Sequence, residues 1–424
     1  MHRIDHSTAT GSLPAADAPG TPGYFTKGAA GVTPATVLDQ DWHNAIQEEP
    51  INVILDAGIA LVKGTHTQLR DAIRILAARA ALSTINYALN PDFKVWQRGI
   101  TINSTTPAAG SNNDDVYGAD QWILLSDGNN VVSLTREATT VPAGSRQALK
   151  ATVVTANKKF VQLQIREASV SIPLRGKKMS LSIQARRGSS ATLTKMRMAL
   201  ISWNGTADAV TSDCVSVWNG EGTNPTLVFS GTGWAYIGTP VALGDLTTSY
   251  AAFKIENLTI PNDCNNLGIL IWSDDATTTV GDELYLGQVK LELGSVITDF
   301  IVASLDAEVR ACQRFARKSH KLDTAPVDAS GADNYDGAVQ GNMALAPNPI
   351  DVQVHLDPPM HHDPTVTLQT CRAGEPAANW TRTNDANNFA ATVARESTDS
   401  FEIGGNANLN GYTWRIHYLA LSEL

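Results

Sequence analysis

Strand-length runs follow one another through the middle of this chain with no helical period between them. "ALKATVV", "KFVQLQIRE", "KKMSLSIQARR", "KMRMALISW", "DCVSVW", "AYIGTPVAL", "YAAFKIENLTI" and "LGILIWS" mostly alternate apolar and polar residues. Gly, Asn, Asp or Pro flank most of them, as turns require. Successive strands without intervening helices argue against an α/β fold. About eight to ten strands over some 200 residues fit one antiparallel sandwich. The most regular run is "GDELYLGQVKLELGS", residues 281–295, bounded by Gly281-Asp282 and Gly294-Ser295. Plain alternation places Leu284, Leu286, Gln288 and Lys290 on one face and Tyr285, Val289 and Leu291 on the other. "ITDFIVASLDAEVRACQRF" then changes to helical spacing, with Leu305, Val309, Cys312 and Phe315 on one face.

At 424 residues the chain is too long for one ordinary core. Charged residues are 17% of it, below the usual quarter. A net charge of −10 without a basic block argues against binding nucleic acid or anionic membrane surfaces. No stretch approaches the ~20 apolar residues of a membrane span, and "MHRIDHSTATGSLPAADAPG" lacks the apolar core of a secretory signal. A soluble protein made in the cytoplasm is expected. Cys214, Cys264, Cys312 and Cys371 form no CxxC motif. Four free buried thiols are expected, with a Cys214–Cys264 bridge as the alternative.

Composition divides the chain further. Residues 1–34, rich in Gly, Pro, Ala and Thr, read as an extended arm. Residues 35–81 read as two helices, the first capped by Asp39 or Thr36 and ending at Gly58, with a kink or restart at Pro50. The second starts near Thr65 or Thr67 and carries the stripe Leu69, Ile73, Leu76 and Ala80. That stripe must pack either on Trp42, Ile46 and Ile54 of the same chain or on a symmetry mate. Residues 82–302 are the sandwich, 303–319 a linking helix and 320–424 a smaller β domain.

Two segments carry a family resemblance. "FTKGAAGVTPATVLDQDWHNAIQEEPINVILDAGIALVKGTHTQLRDAI" resembles the N-terminal segment of phage and prophage tail fibres, with Asp41, Trp42, Asn44, Gln47, Glu48, Glu49, Ala57, Gly58, Gln68, Leu69, Ala72 and Ile73 fitting the pattern. "NPDFKVWQRG", "YGADQWILLSDG", "PLRGKKMSLSIQAR" and "GDELYLGQVKLELGSVITDF…ACQRF" resemble the carbohydrate-binding-module-like jelly-roll domain of phage virion proteins. The resemblance implies a mainly β appendage protein. A short N-terminal helical attachment region precedes an antiparallel jelly-roll sandwich, a linking helix and a C-terminal β domain. It further implies attachment to a phage tail or baseplate, a homotrimer, and contact with a host-surface glycan or protein. Trp42, Leu69, Ile73 and Leu76 are the attachment and oligomerisation candidates. A polysaccharide-cleaving tailspike and a purely structural collar or baseplate subunit are the competing classes.

For receptor contact, sugar faces stack on aromatic rings beside amide and carboxylate partners. Trp96 and Trp122 read as core. Trp218, Trp234 and Trp380 are the binding candidates, with Trp380, in "EPAANWTRTNDANNF", expected in an exposed polar loop. His355, His361 and His362 are either metal ligands or ordinary surface histidines. "SNNDDVYGAD" and "WSDDATTTVGDE" offer oxygen ligands for a structural calcium, or are solvated turn residues. No metal and no catalytic residue is assigned: nucleophile-elbow, zinc-protease, P-loop and dinucleotide fingerprints are absent from the sequence.

Overall fold

The computed structural model describes residues 2–82, 85–102, 116–190, 192–228, 232–342, 349–382, 387–406 and 413–423. It divides into two compact units, residues 1–84 and 85–424.

The first unit is an arm and a helix pair. Helix α1 spans Gln40–Asp56, and Asp39 caps it by accepting from Trp42 N. It runs through Pro50 without restarting, although proline lacks the N–H that would bond one turn back. Burial of Ile51 and Ile54 just beyond holds the helix across that gap. Gly58, at φ +79°, ends it. Helix α2, Gln68–Leu82, packs back on α1 through Ile54, Ala57, Ala72 and Leu76. Leu76 therefore turns to its own chain. Trp42 (44% exposed), Leu69 (37%) and Ile73 (54%) are left open. The side chain of Ala80 lies outside the described residues.

The second unit begins with the sandwich. Its strands are β1 Thr101–Ile102, β2 Val116–Tyr117, β3 Ile123–Ser126, β4 Val132–Glu137, β5 Ala148–Val153, β6 Phe160–Arg166 and β7 Lys178–Arg187. A short helix α3, Ala168–Ser171, separates the last two. Then come β8 Lys195–Trp203, β9 Val215–Val217, β10 Thr226–Leu227, β11 Trp234–Asp245, β12 Ala251–Thr259, β13 Asn266–Ser273 and β14 Glu283–Leu293. Two antiparallel six-stranded sheets result, ordered β1-β4-β5-β14-β7-β12 and β11-β8-β13-β6-β3-β2. Met179, Leu181, Ile183 and Ala185 of β7 face Leu267, Ile269 and Ile271 of β13 in the shared core, with Trp96 and Trp122 fully buried there. The outer face of the second sheet is also apolar: Leu270, Trp272 and Leu163 are covered by the β9–β10 hairpin and Trp234. For that reason β13 reads as an unbroken apolar run.

Strand β14 departs from plain alternation. Its register against β7 shifts between Gly287 and Lys290, and Gln288 sits at φ +50°. A β-bulge inserts one residue and swaps the faces of the residues after it. Leu284, Leu286, Val289 and Leu291 all enter the core, while Tyr285 and Lys290 stand opposite the outward-facing Arg186 and Ser182. The face expected for Gln288 and Lys290 is thus reversed.

The linking helix is shorter than its spacing predicts. Helix α4 is Leu305–Cys312, capped by Ser304. Ala316–Lys318 forms strand β15, drawn out of the helix by pairing with the last strand. Leu305 is 49% exposed, and the buried Glu308 takes the inner position, accepting from Asn90 N at 3.1 Å.

The C-terminal region adds β16 Val339–Asn342, β17 Pro349–His355, β18 Thr365–Gln369, β19 Asn379–Arg382, β20 Asn388–Ala390, β21 Thr392–Ala394, β22 Ser400–Asn406 and β23 Thr413–Leu421. Strand β23 pairs with β15, β16, β18 and β19, while β17, β22 and β21 form a second small sheet. Trp380, Phe401, Ile403, Trp414 and Ile416 fill the space between.

Beside that core, the rings of His320 and His417 stack with centroids 3.7 Å apart. His417 bonds Ser319 Oγ (2.8 Å) and the Asn334 carbonyl (3.1 Å). Burial, then the neighbouring His417, pushes His320 from 6.5 down to about 4. Burial lowers His417 as well. The unfolded chain therefore binds more protons than the folded one between these values, and stability falls as pH drops from about 6.5 to 4. Thermal melts across that window are expected to show the loss, with a smaller slope in His320→Gln. Equal slopes for the two proteins would overturn it.

Candidate functional site

The outer face of the first sheet is polar, and the bulge in β14 shapes it. Reversing the register turns Gln288 out of the core, where its Nε2 donates to Ala143 O and Ser145 Oγ, both at 2.8 Å. These bonds fasten the 138–147 loop over the sheet. Pro142 of that loop lies on Gly287, where a Cβ would meet Pro142 Cγ at 2.7 Å. Any larger residue at 287 would lift the loop. The opposite wall is the segment 297–302, tied down by Lys290 to Asp299 O (2.8 Å) and by Ile297 N to Glu256 (2.8 Å). A groove of about 320 Å³ lies between, floored by Ser182, Gln184, Ala252 and Lys254 and walled by Thr298, Asp299 and Phe300.

One ladder step from Gln184, about 7 Å along the strands, Lys150, Tyr285 and Arg186 stand directly opposite one another on β5, β14 and β7. The Arg186 guanidinium lies 5.0 Å from the Tyr285 ring and 5.9 Å from that of Tyr250. Its Nε donates to Arg187 O at 3.1 Å. Among the described residues its terminal nitrogens have no hydrogen-bond partner, nor does Lys254 Nζ.

Two carboxylates border this row. Burial raises the Glu283 carboxyl, but Tyr285 Oη (2.7 Å) and Lys150 (3.0 Å) outweigh it and hold the group below the ordinary range. Burial likewise acts upward on Glu137. The Thr139 hydroxyl and the N–H groups of Ala138, Thr139 and Thr140 overcome it and hold Glu137 at about 2. Both stay ionised at neutral pH, so they accept hydrogen bonds and do not supply protons.

The tryptophan candidates fare differently. Trp380 is fully buried, on strand β19 and not in a loop, with Nε1 donating to Gly404 O at 3.0 Å. Its polar neighbours in sequence are the outward residues and turns of a short strand. Trp234 is also fully buried, with Nε1 on Thr211 O. Neither ring can stack on a sugar. Trp218 is half-buried at the end of β9 and lines a separate pocket. Sequence patterning misses the groove because Gln184, Arg186 and Gln288 look like ordinary outward strand positions. Only the Gly287-Gln288 pair, within an otherwise alternating strand, hints at a bulge.

Most of the other ligand candidates are engaged in hydrogen bonds within the chain. Asp274 accepts from Arg197 Nε (2.7 Å) and Lys159 (3.3 Å), and Asp275 from Thr194 and Lys195. Asp282 takes the Thr279 N–H at 2.7 Å. Residues 111–115 of the other acidic stretch lie outside the described residues. His361 turns to Glu167 (3.1 Å) and its ring lies tilted against that of His362, centroids 3.9 Å apart, while His355 is exposed on β17. Among the described residues no group of three His, Cys, Asp or Glu is placed to hold a metal. All four cysteines are buried and none is in a disulfide. No helix among the described residues is long and apolar enough to cross a membrane.

No family model matches the chain. Over 77 residues it is 43% identical to the uncharacterized protein StfP of Escherichia coli (strain K12), a stretch that is 18% of this chain and 35% of that protein. The chain thus spans about a third of the length of the curated relative it matches. Among solved structures it is similar to the C-terminal family 22 carbohydrate binding module of Clostridium thermocellum Xyn10B, at 16% identity, 45% coverage of this chain, 96% of that chain and a TM-score of 0.28. It is also similar to the enzymatically active domain of tailspike protein 4 of bacteriophage CBA120, at 13% identity, 50% and 22% coverage and a TM-score of 0.27.

Proposed function

We propose that this chain is a non-catalytic phage tail appendage protein that binds a host-surface glycan in the groove on the first sheet. The bulge-built groove carries the reading. It sets the unpaired amine of Lys254 and the amide of Gln184 beside the half-buried ring of Phe300, and the unpaired guanidinium nitrogens of Arg186 follow one ladder step beyond Gln184, on a strip about 13 Å long from Lys254 to Arg186. A sugar chain needs that combination of ring faces and hydroxyl partners. Glu137 and Glu283, both held as carboxylates, supply no general acid for glycoside cleavage. Arg186→Ala with Gln184→Ala is expected to weaken binding of purified host polysaccharide at least about tenfold, with an unchanged melt. Unaltered binding, or release of reducing ends from the polysaccharide, would overturn this reading.

The resemblance of residues 25–73 to tail-fibre N-termini supports attachment to the tail or baseplate, and with it a place in the virion. In the same unit Trp42, Ile46, Leu69 and Ile73 are open apolar side chains. Helix α1 carries Asp41, Glu48, Glu49 and Asp56 with no Lys or Arg, and α2 carries Arg70 and Arg74; Glu48 is already paired with Arg3 of the arm and Arg70 with Asp71, which leaves Glu49 and Arg74 among the charges a neighbour could pair. Three copies packing α1 of one chain against α2 of the next would cover the apolar residues and pair the charges. Full-length protein is expected to have a trimer's mass in solution, and Leu69→Asp/Ile73→Asp a monomer's. A trimeric double variant would remove this contact from consideration.

A further inference from the structure

We propose that the sandwich carries a second, independent saccharide site, a pocket built on Trp218 that takes a single sugar ring. This rests on the glycan-binding reading of the groove, but the residues are different. The β9–β10 hairpin lies on the outer face of the second sheet, and Trp218 packs its ring partly against the apolar cluster there. The exposed part of the ring borders a pocket of about 210 Å³ with Asn157, Lys159 and Asn219. That is smaller than the ~300–1,000 Å³ of sites for drug-sized ligands, so it suits one ring and not a chain.

The polar groups around it have spare capacity. The Trp218 indole N–H has no hydrogen-bond partner among the described residues. Lys159 is 6% exposed and uses one of its three donors, toward Asp274 Oδ1 at 3.3 Å. Asn157 Oδ1 accepts from Thr278 N (3.0 Å), and its Nδ2 has no partner among the described residues. Asn219 Nδ2 donates to Asn224 O (2.7 Å) and Thr226 Oγ1 (3.1 Å), which leaves its Oδ1 to accept. An apolar plate ringed by these donors and by acceptors, the Asn219 amide oxygen and the carboxylates of Asp127, Glu221 and Asp275, matches the face and hydroxyls of a pyranose. Because the pocket and the groove share no residue, one chain can hold two glycan strands at once. Cross-linking of that kind raises avidity without any new contact.

The test follows the indole N–H signals of the full-length protein by NMR, with Trp218 identified from the peak lost in Trp218→Phe. Free glucose, galactose, mannose, N-acetylglucosamine and rhamnose are titrated separately to tens of millimolar. For at least one sugar the Trp218 peak is expected to move and saturate. The same response is expected in Arg186→Ala/Gln184→Ala, and Trp218→Ala should weaken binding of that sugar about tenfold or more. If no sugar moves the peak while the groove still binds polysaccharide, the pocket is not a sugar site and the groove reading stands. If the groove substitutions abolish the response, the two sites are not independent and the proposal fails. A saturating response in a protein whose groove substitutions leave polysaccharide binding unchanged supports the pocket and removes the groove.

Discussion

Trp380→Ala is expected to destabilise the C-terminal β domain by about 3–5 kcal/mol, the range for emptying a buried aromatic site. The ring is fully buried, between the small sheets that β19 and β22 belong to. Gly341 lets strand β16 approach it: a Cβ there would lie 3.3 Å from Trp380 Cη2 and 2.6 Å from Ile350 Cγ2. Loss of the indole N–H would also leave the Gly404 carbonyl without that partner. Against a typical domain stability of 5–15 kcal/mol, the variant should show a much earlier transition by near-UV circular dichroism. Polysaccharide binding, which uses the first sheet of the sandwich, should survive at temperatures below that transition. An unchanged melt together with lost binding would restore Trp380 as a receptor contact.

That substitution separates what the chain spells out from what it conceals. The sandwich strands are legible because a sheet with one buried face must alternate, as β7 does from Met179 to Ala185. The β13 strand is legible as an apolar run because both of its faces are covered. The helix pair is legible from its period and from Asp39 and Gly58. Trp380 is hidden because β19 has four residues, too few to show a period beside the Asn- and Thr-rich turns around it. The far end of the linking helix is hidden because Ala316–Lys318 obeys its partner β23, about a hundred residues away, and not its own spacing. Local propensity loses to such pairing. The groove is hidden for the same kind of reason. One extra residue in β14 decides which side chains face out, and register is a property of two strands together.

Charge at the seam between sandwich and C-terminal domain should matter as much as the core. Gln97 Nε2 bridges Asp120 Oδ2 (2.5 Å) and Ala316 O (2.6 Å), tying the sandwich to strand β15. Arg98 completes the arrangement. It pairs with Glu423, lies 3.6 Å from Asp120 Oδ1, and stacks 4.5 Å above the Tyr117 ring. Asp120 is wholly buried. Removing one partner of a buried ion pair leaves the other charges uncompensated and costs about 3–5 kcal/mol. Arg98→Ala is therefore expected to lose that much in urea melts at pH 8. Burial already pushes the Glu423 carboxyl above its ordinary range despite the cation beside it, and deleting Arg98 pushes it further. A carboxyl raised in the folded state contributes stability that is present at low pH and lost as pH rises through its folded value. The deficit of Arg98→Ala should accordingly shrink at pH 5, where Glu423 can take up a proton. Glu423→Gln placed in the Arg98→Ala background should recover part of the loss at pH 8 and little at pH 5. A deficit below about 0.5 kcal/mol, the size of an ordinary surface substitution, or one that is the same at both pH values, would show that this cluster does not join the two domains.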